Sequence, residues 1–316
     1  MSRRSLRTKS STIQIGPSFE LRFDPTSSRA ISVGRNISVW NLETKTRVTR
    51  SHPLKHPSHV NWSPDGEKIC VKATSGELVI VDAKTLKVQT QLQSKRAGEG
   101  CECVFSPDGL RLLDGTWDGT LATYDINSQR RLLDHTFPEC MVTALTSSPT
   151  YTRAATVIQP KLSAGLGPGP QHTICLVEWT TTGLELRTLP NSWDKIQAIT
   201  FDSSENQLAI LRQDGGRIEG CIEVVNLTSG HAIASRPCTL SWNGGSITWS
   251  PDGEVLGSVE SDGFHFYDTT NLQEIGHVPL QYACHVEFSR DGKFIALGAW
   301  SGGVVRLTES ILGKES

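Results

Sequence analysis

The 316-residue chain has no apolar run near the roughly 20 residues that a helix needs to cross a bilayer. An excess of one charge is missing too. Its 31 Lys and Arg oppose 33 Asp and Glu, for a net charge of −2. That balance gives no electrostatic reason to expect nucleic acid or an anionic membrane as a partner. The opening MSRRSLRTKS is basic and serine-rich but lacks the apolar core of a secretory signal. Residues 1–10 are therefore expected to form a disordered, solvated tail.

Chemistry-bearing motifs are equally scarce. No Gly-x-Ser-x-Gly elbow presents a nucleophile. The stretch GLGPGP at 165–170 lacks the Gly-Lys-Ser/Thr ending of a phosphate loop, and its prolines remove amide donors. Cys101-Glu-Cys103 has no second cysteine pair to complete a structural zinc site. The eight cysteines, several inside apolar runs such as KICVKA, read as reduced core thiols of an intracellular protein. His52, His56 and His59 cluster in SHPLKHPSHV, but flanking prolines make that stretch a rigid connection rather than a metal site. No catalytic residue, metal or cofactor is expected. The predicted location is cytoplasmic, with the nucleus as the alternative.

What the chain does contain is repetition. NWSPDG at 61–66 returns as VFSPDG, TWSPDG and EFSRDG. An aromatic followed by Ser-Pro-Asp-Gly reads as a buried strand running into a tight turn. A second marker, a bulky residue usually followed by Asp or Asn, falls at Trp40, Val81, Tyr124, Trp179, Val225, Tyr267 and Leu307. Those positions are 41, 43, 55, 46, 42 and 40 residues apart, so there are seven units. Length alone suggests two domains, but the repeats join residues 11–310 into one. Within each unit, short β-branched and aromatic runs alternate with Asp/Asn/Ser/Thr turns. Gly76, Gly119, Gly220 and Gly302 are expected at the turn between the second and third strands.

Four short antiparallel strands in about 40–45 residues, ending in Trp-Asp-like pairs, resemble the WD40 repeat. The resemblance runs from about Ile13 to Leu307 and implies an all-β, seven-bladed β-propeller. The last unit supplies three strands, so STIQIG at 11–16 is expected to complete it. The Gly-His pair that opens many such repeats is absent; His52 and His277 are out of register. Apolar packing is therefore expected to hold the blades, with Trp62, Phe105, Trp249 and Phe288 as plugs.

The resemblance also implies a function. Loops on a rigid scaffold carry binding, and in WD40-like blades the second-to-third-strand loops and the inter-blade loops share a top face. Trp117 and Trp300 precede hairpin glycines there, and Tyr282, Trp242 and Trp193 fall in or beside inter-blade loops. His56, Glu99 and Lys195 are expected as polar rim contacts. Unit four carries an insertion at 159–172, including Lys161 and Leu166, and unit five a smaller one at 212–220. These features predict a non-enzymatic scaffold or adaptor that binds protein on its top face, a monomeric ring within a larger complex. A dedicated inhibitor of one cognate enzyme or toxin is the first alternative. A lactonase-like propeller hydrolase or lyase, with carboxylates or histidines at the tunnel mouth, is the second.

Overall fold

The computed structural model describes residues 12–92, 100–161, 171–181, 183–215, 218–242 and 244–312. The basic tail lies outside them. Strand β1 (Thr12–Ser18) precedes the first blade, β2–β5 (Glu20–Phe23, Arg29–Val33, Ile37–Asn41, Thr46–Ser51). Blade two is β6–β9 (Pro57–Trp62, Lys68–Ala73, Leu78–Asp82, Val88–Leu92), and blade three β10–β13 (Cys103–Phe105, Arg111–Gly115, Thr120–Asp125, Arg130–Thr136). Blade four is β14–β17 (Cys140–Ser147, Arg153–Pro160, His172–Trp179, Leu184–Trp193) and blade five β18–β21 (Ile196–Phe201, Gln207–Gln213, Glu219–Asn226, Ala232–Thr239). Blade six is β22–β25 (Ile247–Trp249, Val255–Glu260, Gly263–Asp268, Glu274–Pro279). Then come β26 (Ala283–Phe288), β27 (Phe294–Leu307) and the short helix α1 (Glu309–Leu312). Every blade is an antiparallel meander.

Blade seven closes the ring. The first half of β27 pairs with β26, Phe288 facing Ile295, while its second half pairs with β1, Ile13 facing Val305. The Thr308 amide donates to the Lys293 carbonyl at 2.9 Å, so β27 folds back on itself about Ser301-Gly302. The N-terminal strand thus supplies the missing outer strand, as the repeat pattern predicts.

The Ser-Pro-Asp-Gly phrase proves to be one case of a corner present in all seven blades. A buried oxygen acceptor ends the first strand: Asp24, Ser63, Ser106, Ser148, Asp202, Ser250 or Ser289. Each accepts from the amide five residues on, at 2.8–3.2 Å. Each carbonyl also accepts from the amide three residues on. That third residue is always left-handed, with φ between 58° and 78° at Ser27, Gly66, Gly109, Tyr151, Glu205, Gly253 and Gly292. Glycine is the natural occupant. Glu205 instead uses its carboxylate, which accepts from the Thr150 amide at 2.7 Å and ties the corners of blades four and five. Gly220 departs from expectation: it lies on β20, and the turn precedes it. A Cβ there would sit 2.5 Å from Leu240, so close packing demands the glycine.

Among the described residues the core divides into seven apolar clusters, one between each pair of adjacent blades. Trp62, Phe105 and Phe288 are buried plugs; Trp249 is only half-buried. Packing is not the whole story. Lys72 of blade two is fully buried, and its ammonium donates to Asp114 Oδ1 of blade three at 2.5 Å. It also donates to the Cys101 and Gly115 carbonyls at 2.9 and 2.8 Å. Burial works against the charge, but the Asp114 carboxylate leads the neighbouring groups that together raise the Lys72 pKa. Polar staples thus join blades that were expected to be held mainly by apolar packing.

Two outcomes follow. A chain beginning at residue 19 loses the buried Ile13 and uncovers Val305, costing about 3 kcal/mol or more. Its Tm falls, and a peptide of residues 12–18 added in trans restores part of the loss; an unchanged Tm refutes strand closure. Lys72→Met strands the Asp114 charge and costs about 3–5 kcal/mol. Lys72→Met with Asp114→Leu recovers most of that in thermal melts.

Candidate functional site: channel and top face

The first strands of the blades surround a central channel with a cavity of about 560 Å³. Alternation along each first strand turns every second side chain toward it. Its two sides differ. Blades four to six contribute small neutral groups such as Thr143, Thr200 and Ser246. Blades seven, one, two and three contribute charges centred on Arg22. The guanidinium donates to Glu20 at 2.8 Å, to Glu102 at 2.5 Å and to Glu287 at 3.0 Å. His59 Nδ1 lies 3.5 Å from Glu20, and the Phe23 amide donates to Glu287 at 3.0 Å.

Glu20, His59 and Glu102 bring their ligand atoms within 4.8 Å of one another, a spacing that suits a metal. Arg22 argues against one, because its guanidinium already bonds both carboxylates and supplies the positive charge. Burial opposes ionisation of Glu20, yet Arg22 and His59 hold its carboxyl well below the usual range. Burial pushes Glu287 up to about 7, with Arg22 only partly offsetting it. The cluster acts as a four-blade tie. Beyond its own strand Arg22 reaches Glu102 and Glu287, 80 and 265 positions away, so no local motif announces it.

Between-blade loops and second-to-third-strand loops meet on one face. The His56, Glu139, Lys195 and Tyr282 carbonyls accept from the Thr74, Lys161, Gln213 and Trp300 amides at 2.8–3.1 Å. Four of the expected contacts are exposed large aromatics: Trp117 at 44%, Trp242 at 69%, Tyr282 at 54% and Trp300 at 53%. They are not evenly spread. Trp300 follows Tyr282 across the hydrogen bond just described and packs, tilted by 31° at 4.9 Å between centroids, on Phe19, in the loop between β1 and β2. Ser241, next to Trp242, donates to the Ala283 carbonyl at 3.1 Å. Trp242, Tyr282, Trp300 and Phe19 therefore occupy adjoining loops from blade five round to blade one. Trp117 stands apart on blade three, beside the 137–140 loop.

His56, Lys195 and Lys161 are exposed on the same face. Glu99 and Leu166 lie outside the described residues, as does most of the unit-four insertion. Trp193 is the correction. It is 5% exposed, packed between blades four and five, with its indole N–H donating to Glu223 at 2.9 Å. It ends β17 rather than entering a loop, so its ring meets the core. Phe19 was missed because nothing in its sequence surroundings marks its contact with Trp300.

His172, 2% exposed, accepts from the Ile196 amide at 3.1 Å and so is neutral. Burial, with Lys195 adding to it against Asp194, lowers its pKa from 6.5 to about 4. The unfolded chain binds this proton first, so the contribution is complete above pH 6.5 and declines as pH falls toward 4. The loss approaches about 3 kcal/mol. Over that window the Tm of His172→Gln, which keeps an acceptor, falls less than that of the parent. Parallel melting curves would contradict this.

No protein-family model matches the sequence. The Drosophila melanogaster protein Groucho, a WD40 protein, is 31% identical over 108 residues, covering 32% of this chain and 14% of Groucho. The chain thus matches only a small part of that relative. A chain of Kuenenia stuttgartiensis hydrazine synthase superposes with a TM-score of 0.72 at 13% identity, over 96% of this chain and 99% of that one. The Myceliophteria thermophila Cps50 (Swd1) β-propeller domain gives 0.71 at 13% identity, over 93% and 98%. At such identity the two structures speak for the fold alone. The seven repeat units, their shared corners and the Groucho match make the chain similar to WD40-repeat proteins, and its fold is a seven-bladed β-propeller.

Proposed function

We propose that the chain is a non-enzymatic, protein-binding scaffold that engages its partner through the top-face arc of Trp242, Tyr282, Trp300 and Phe19. The observation that carries this reading is Tyr282. Four inter-blade corners, His56, Gly100, Glu139 and Tyr282, adopt left-handed φ between 53° and 75°. Glycine serves one of them; a large, half-exposed tyrosine at φ 61° accepts backbone strain to hold a ring in solvent. Exposed Trp and Tyr on a rigid base are favoured interface anchors, because little side-chain entropy is lost on binding. His56 and Lys195 supply polar contacts farther round the rim. In this reading the ring is monomeric within a larger complex, and cytoplasmic.

Groucho, a WD40 protein, supports an interaction scaffold in general terms. The hydrazine synthase chain is ambiguous, since that protein is named as an enzyme. In the channel, the acidic groups that a hydrolase needs free are engaged by Arg22, which favours the scaffold.

A variant carrying Trp242→Ser, Tyr282→Gly and Trp300→Ala tests the arc. Its Tm stays within a few degrees of the parent, because glycine relieves the left-handed residue by up to about 1 kcal/mol. Proteins captured from native lysate by the parent are lost, each anchor contributing at least about 2 kcal/mol. Trp117→Ala retains them. An unchanged set of captured proteins with the triple variant overturns the site.

A further inference from the structure

The outer half of blade six holds a group of side chains that neither the fold nor the binding arc uses. Asp262 sits in the tight turn between β23 (Val255–Glu260) and β24 (Gly263–Asp268). His265 on β24 and His277 on β25 are direct cross-strand partners. Their imidazoles stack with centroids 4.3 Å apart. His265 Nε2 lies 2.8 Å from Asp262 Oδ1, and His277 Nε2 lies 3.5 Å from Oδ2 of the same carboxylate. Their ligand atoms all fall within 4.8 Å of one another.

The geometry points to a divalent transition-metal site, best suited to Zn2+, formed by Asp262, His265 and His277. Two imidazole nitrogens and one carboxylate oxygen make the borderline-soft donor set that zinc takes at about 2.0–2.2 Å. Ordinary ion pairing explains the arrangement less well, since two histidines converge on one carboxylate with their rings face to face.

Three features prepare the site. Glu274 Oε2 lies 3.1 Å from His265 Nδ1. A proton held on Nδ1 leaves Nε2 as the lone-pair donor, the carboxylate–histidine arrangement that orients metal ligands. Gly263, at φ 150°, allows the turn: a Cβ there would meet the Val278 carbonyl at 2.3 Å. The Asp262 carbonyl accepts from the Leu280 amide at 3.2 Å, holding the turn against the end of β25. Asp262 and His277 are partly solvent-facing, so a fourth position is open to water or to a ligand from another molecule. The sequence placed His277 near a family position but out of register; its partner across the sheet, His265, has no linear signal.

The test uses the untagged full-length chain, stripped with chelator and titrated with Zn2+ against a chromophoric competitor. One equivalent binds, and His265→Ala/His277→Ala loses it by at least ten-fold in affinity. Glu274→Gln weakens binding about 10- to 100-fold while leaving all three ligands in place. Co2+ added to the parent gives the visible absorption of a four-coordinate nitrogen–oxygen site, which decides the ligand set even if the double variant folds poorly. No zinc bound by the parent, zinc bound equally by the folded double variant, or a thiolate-to-cobalt band overturns the assignment.

Discussion

No blade of this protein can bury its own apolar faces. Each of the seven clusters is made half by one sheet and half by the next, so a blade is stable only between two neighbours, and the arc must close. Closure rests on the pairing of β1 with the second half of β27. The arrangement leaves the loops as the free variables, because the strands are committed on both faces. That is why exposure of large aromatic rings concentrates at loop tips while the corners at the other strand ends all repeat one geometry.

Polar groups complete what packing begins. Lys72 with Asp114, Arg212 and Trp193 with Glu223, and Tyr267 with Glu260 are buried or half-buried contacts within or between blades. Such pairs add little net stability over well-packed apolar residues, yet losing one partner is costly. The two that cross blades, Lys72 with Asp114 and Trp193 with Glu223, therefore specify which blades sit together rather than simply strengthening the ring. The Arg22 cluster, with His59, does the same across four blades, and Arg22's three carboxylate partners explain why the channel is charged on only one side.

Much of the fold was legible because its signals are local. The corner needs an acceptor, a fixed five-residue reach and a left-handed residue, and four units write this as Ser-Pro-Asp-Gly or its close variant. Unit four obscured it by replacing the aromatic with Ser147, the aspartate with Thr150 and the glycine with Tyr151; Ser148 still makes the bond. The inter-blade ties were illegible for the opposite reason. Nothing near Lys72 in KICVKA points to Asp114, 42 positions away. Exposure is similarly non-local: Trp193 and Trp242 both fall near inter-blade connections, but only the register of β17 sends the first inward.

The binding arc and the proposed metal site share one short segment. Asp262 is tied through its carbonyl to the Leu280 amide, and two residues on Tyr282 stands in its left-handed conformation. The Tyr282 carbonyl in turn accepts from Trp300, and Ser301 donates to Gln281 at 2.7 Å. The chain from blade six to blade seven is thus pinned on both sides of the strained residue. A left-handed tyrosine persists only where its surroundings over-determine it. An ion drawing Asp262, His265 and His277 together would tighten one of those pins, because the turn that carries the carboxylate also anchors Leu280. Strain at Tyr282 and the metal geometry of blade six then bear on the same loop, and stiffness there lowers the ordering cost of presenting Tyr282 and Trp300 to a partner.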